Sequence, residues 1–157
     1  MKFARGNRST SHRQPWDDLA VVPWFAELSA AQRRAASRHT DWVPVRAGQR
    51  LQRQSFHVRW LWIPVDGTLE LRRNDAWVGV VEPGGAWGEA EALLGLPSSV
   101  DVLVGEDATV LSLPANAFHG MLGDAAFAAT MARRQAKAWL GPQPARATST
   151  ASVSPAA

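Results

Sequence analysis

The chain contains no cysteine. That excludes disulfides, Cys-ligated zinc, iron–sulfur clusters and thiol chemistry together. Lysine is scarce as well: Lys2 and Lys137 are the only two, so arginine carries almost all of the positive charge. The high isoelectric point, about 10.5, reflects the basicity of guanidinium more than a charge excess, because the formal net charge is only +3. A surplus that small does not argue for nucleic-acid binding. Long apolar runs are missing too. The longest aromatic–aliphatic run, WLWIPV at 60–65, falls far short of the ~20 residues a spanning helix needs. The N-terminal MKFARGNRSTSHRQPW is basic and polar, without the apolar stretch of a signal peptide. The expectation is a cytoplasmic protein with no membrane segment.

What the chain does contain is the ordinary composition of a globular domain, with 46% hydrophobic and 20% charged residues in 157. That length suits one domain with a real core. Residues 1–16 read as a flexible basic arm, 17–140 as the folded domain and the Pro/Ala/Ser/Thr-rich 141–157 as a disordered tail. No internal repeat is visible. Ser29 followed three residues later by Gln32 is a capping-box pattern opening a short helix, with Trp24 and Phe25 just before it as anchors. From Asp41 to Leu113 short β-type runs alternate with turns such as Asp66-Gly67 and Asn74-Asp75. Pro44 and Pro64 push their runs toward sheet edges. Helical texture returns after Pro114, with Asp124 as the N-cap of a long helix carrying Phe127, Met131, Ala138 and Trp139 near one face. The fold class this predicts is mainly β: a double-stranded β-helix, or jelly roll, of about eight strands, with a short N-terminal helix and C-terminal helices.

Within this frame, PGGAWGEAEALLGLPSSVDVLV at 83–104 holds the densest chemistry. Gly88 allows a tight turn, and the unpaired amides opening a helix at 89–94 favour an anion. The segment resembles the phosphate-binding cassette of cyclic nucleotide-binding domains, the sensor domains of the catabolite activator, Crp/Fnr-like type. That pattern runs approximately G-x-x-F-G-E-x-A-L…P-R-(A/S)-(A/T). Gly84 matches its first glycine, Trp87 stands for the Phe, Gly88 and Glu89 match directly, and Pro97 matches the proline. The resemblance covers 19–140 and implies a jelly roll whose ligand is cAMP or cGMP. The ligand-binding positions it implies are Gly88, Glu89, Ala90, Ser98, Ser99 and Asp101, with Glu89 accepting from the ribose 2′-hydroxyl.

Three positions depart from the pattern. Ser98 stands where the arginine belongs, Glu91 replaces an alanine, and Asp101 replaces a threonine or another uncharged residue. With Glu82 and Glu89, the stretch from Glu82 to Val104 holds four carboxylates and no basic side chain. Losing one charge-assisted partner costs about 1.5–3 kcal/mol, or ten- to a hundredfold in affinity. Arg72 or Arg73 on a neighbouring strand could supply the missing charge, and Ser55 sits near the place of a turn glycine. The expected function is therefore a regulatory or sensor domain with a degenerate pocket, acting through protein–protein contacts or a non-standard ligand. The alternative is a genuine cAMP or cGMP receptor domain of a signalling or transcription-regulator system.

Other chemistries find little support. His57 and His119 stand alone and supply no metal-ligand spacing, and no G-x-S-x-G motif accompanies the serines, so neither a metal site nor an enzyme is expected. Trp60 and Trp62 point to the same side of one strand, with Trp42, Trp77 and Trp87 in adjacent runs. Most of the eight tryptophans read as core or amphipathic edge residues, though a cluster lining the barrel mouth could stack on a flat ligand. Residues 141–157 leave no room for a helix-turn-helix, so direct DNA binding is not expected. A homodimer through the 124–140 helix and an unidentified protein partner are the expected associations.

Overall fold

The computed structural model describes residues 19–140, with side chains through Lys137. The segments read above as arm and tail lie outside the described residues, as do the side chains of Ala138 and Trp139. A 3-10 helix at Pro23–Phe25 leads into α1 (Ala30–Ser37). Its capping box forms as the sequence predicts: the Gln32 amide donates to Ser29 Oγ at 3.2 Å, and the Ser29 amide donates to Gln32 Oε1 at 2.9 Å.

Seven strands follow among the described residues: β1 (Asp41–Val45), β2 (Arg50–Gln52), β3 (Trp60–Pro64), β4 (Leu69–Arg73), β5 (Ala76–Val81), β6 (Asp101–Val104) and β7 (Ala108–Pro114). They form two antiparallel sheets, ordered β1-β7-β3 and β2-β6-β4-β5. The count is close to the eight or so expected; after β5 the chain touches β3 in an isolated bridge between Trp62 and Trp87 and then enters α2 (Glu89–Leu94). Both prolines fall on edges, Pro44 in β1 and Pro64 in β3. The chain closes with α3 (Ala115–Met121) and α4 (Ala125–Leu140), where Asp124 caps α4 by accepting from the Phe127 amide at 2.8 Å. No helix among the described residues is long and apolar enough to cross a membrane.

Strand alternation divides the core in two. Leu61, Ile63, Leu111 and Leu113 face the helices and pack with Trp24, Phe25, Leu28, Phe118, Phe127 and Met131. Val110 faces the other way, into a second cluster with Val45, Val58, Leu69, Trp87, Val102 and Val104 between the sheets. The central strand β7 is thus buried on both faces, with the helices held on the outer face of the β1-β7-β3 sheet. The α4 helix docks on its own barrel through Phe127, at 1% exposure, and Met131, at 7%.

Candidate functional site

The 84–101 segment lies between β5 and β6 and against β3. Its conformation follows from two glycines. Gly88 caps α2 at φ +101°, and a Cβ there would lie 3.1 Å from the Trp60 carbonyl oxygen and 3.5 Å from Leu61 Cα. Only glycine fits both the left-handed backbone and that approach to β3. Gly95 stops the helix, again left-handed at φ +65°. The helix therefore spans the residues the sequence predicts, Glu89 to Leu94.

The far end is sewn to the β2–β3 turn. The Ser98 amide donates to Phe56 O at 2.9 Å, and the Ser55 amide donates to Ser98 O at 2.7 Å. Ser55 adopts φ +68°, so the turn keeps a glycine-like conformation without a glycine, and it carries the strain that a side chain adds there.

The six positions implied by the resemblance divide into two groups. Gly88, Glu89 and Ala90 open α2, and Glu89 points out of the barrel. Its carboxylate accepts from Trp24 Nε1 at 2.7 Å and from Gln135 Nε2 at 2.9 Å. Ser98, Ser99 and Asp101 form the other end. Ser98 is 2% exposed, and its hydroxyl both donates to Val100 O and accepts from the Val100 amide. Asp101 is buried against the turn, accepting from the Gln54 amide at 2.8 Å, with Arg50 Nε at 3.8 Å. The carboxylates read above as one acidic stretch are thus separated by their contacts. Glu89 meets Trp24 and Gln135, Asp101 meets Gln54, and Glu91 borders a cavity with His57 and His119. Among the described residues no group of three or more His, Asp or Glu is arranged to hold a metal.

Of the two arginines offered as replacements, Arg72 pairs with Glu70 at 3.1 Å. Arg73 does reach the segment, but on its backbone: Nε donates to Ser99 O at 3.3 Å.

The residues that sequence reasoning missed are Arg134 and Gln135. Arg134 donates to the carbonyls of Trp24 at 2.9 Å and Gly84 at 2.7 Å, and its guanidinium lies 5.2 Å from the centroid of the Trp24 ring. One side chain of α4 thereby ties the 3-10 helix to the start of the cassette, while Glu89 ties the same helix to α2 and α4. The signal was available in the spacing. Phe127, Thr130, Met131 and Arg134 fall at i, i+3, i+4 and i+7, which is one helical face. Among the tryptophans, Trp62 is half-buried against the inter-sheet cluster, and its buried indole N–H has no acceptor among the described residues.

Burial raises the Glu89 carboxyl above its ordinary 4.5, and the Trp24 bond, the Arg134 charge and Gln135 offset this only in part. A carboxyl with a raised folded-state pKa binds its proton more tightly in the folded chain. Its contribution to stability is whole below pH 4.5 and is lost as the pH rises through the raised value. Glu89→Gln removes that titration. The difference in Tm, wild type minus variant, is expected to be most positive below pH 4.5 and to fall toward neutral pH. A difference flat with pH would contradict this assignment.

The cyclic nucleotide-binding domain family model matches residues 42–124. No curated protein matches the chain significantly. Among solved structures, the regulatory subunit of a cAMP-independent protein kinase A from Trypanosoma brucei is similar at 19% identity and TM-score 0.64, covering 76% of this chain and 44% of that one. The corresponding subunit from Trypanosoma cruzi, bound to guanosine, is similar at 16% identity and TM-score 0.58, covering 68% and 38%. Thermus thermophilus catabolite activator protein is similar at 21% identity and TM-score 0.59, covering 75% and 60%. The chain spans less than half the length of both kinase subunits.

Proposed function

Because the chain belongs to the cyclic nucleotide-binding domain family, we propose that it is a regulatory module that keeps the cassette backbone without holding an ordinary cyclic nucleotide. It acts through contacts with a protein partner, or by taking a ligand that lacks the phosphate charge. Position 98 carries the reading. Where the family pattern places arginine, a serine at 2% exposure spends its hydroxyl on the backbone of Val100. A phosphate there would lack the bidentate, charge-assisted pair that such sites rely on. Glu89 supports the same conclusion, since both of its oxygens already accept from Trp24 and Gln135. The similar Trypanosoma brucei subunit is described as cAMP-independent and the Trypanosoma cruzi one as bound to guanosine, so a neutral nucleoside is the ligand class to test first. No catalytic role is proposed.

The second reading, a cAMP or cGMP receptor, is favoured by the intact turn at Gly88 and the helix that follows it. Titrating cAMP and cGMP into the wild type and into Ser98→Arg, followed by tryptophan fluorescence, separates the two. The expected result is no response of the wild type at millimolar ligand, with binding gained by about ten- to a hundredfold in the variant. A saturable wild-type response at micromolar cAMP or cGMP would establish the second reading instead.

A further inference from the structure

We draw no further inference here: the strongest candidate, the apolar groove between α2 and the α3–α4 pair lined by Leu93, Leu94, Phe118 and Met131, carries nothing because nothing in the structure shows what covers it.

Discussion

Trp24→Ala is expected to lower folding stability by about 4 kcal/mol. The side chain is fully buried, packed edge-on to Phe25 at 4.7 Å between ring centroids, and lies beneath the Arg134 guanidinium. Truncation removes that packing and opens a cavity at the junction of the 3-10 helix, α2 and α4. It also leaves Glu89 with Gln135 as its remaining side-chain donor. Trp24→Phe separates the two effects, since it keeps most of the ring volume and deletes the indole N–H. Its expected cost is about 2 kcal/mol, the scale of a hydrogen bond to a charged group. Urea unfolding followed by circular dichroism measures both. A loss under about 1 kcal/mol for the alanine variant would mean that Trp24 does not organise this junction.

The second large effect is expected at Gly88. Gly88→Ala places a methyl group against the Trp60 carbonyl at 3.1 Å and imposes a side chain on a left-handed residue. Left-handed strain costs about 1–2 kcal/mol, and crowding against backbone that cannot swing aside adds about 1–3 kcal/mol. A total near 3 kcal/mol would lower Tm by about 10 °C in a domain of this size. The loss should appear as weakened hydrogen-exchange protection along α2 and at the Trp62–Trp87 bridge. Gly95→Ala is the internal control: it shares the left-handed backbone, at φ +65°, but has nothing within 4 Å of its added methyl group. It should cost only the strain. Equal losses at the two glycines would show that the close approach to β3 contributes nothing.

The fold was legible because its signals were local. The Ser29–Gln32 box and the Asp124 cap each marked the start of a helix, the turn dipeptides between β runs marked the strands, and the structure places these elements where expected. The cassette was legible for the same reason, since Gly88 and Gly95 set where α2 starts and stops. What could not be read was direction across long separations. Glu89 lies 65 residues from Trp24 and 46 from Gln135, and no local pattern shows that its carboxylate faces them. Charge alone puts Arg134 on the solvent side of an amphipathic helix. Its guanidinium instead satisfies the backbone carbonyls of Trp24 and Gly84 and lies over the Trp24 ring. Nor does an apolar helical face reveal from sequence which of its residues meet their own barrel, as Phe127 and Met131 do.

The central claim is that the cassette keeps its shape without the charge that holds a phosphate. Calorimetric titration of the wild-type chain with cAMP tests it most directly. The account predicts no saturable heat up to about 1 mM ligand, because Ser98 offers no counter-charge and Glu89 is already engaged. A single-site isotherm with a Kd in the micromolar range would contradict it.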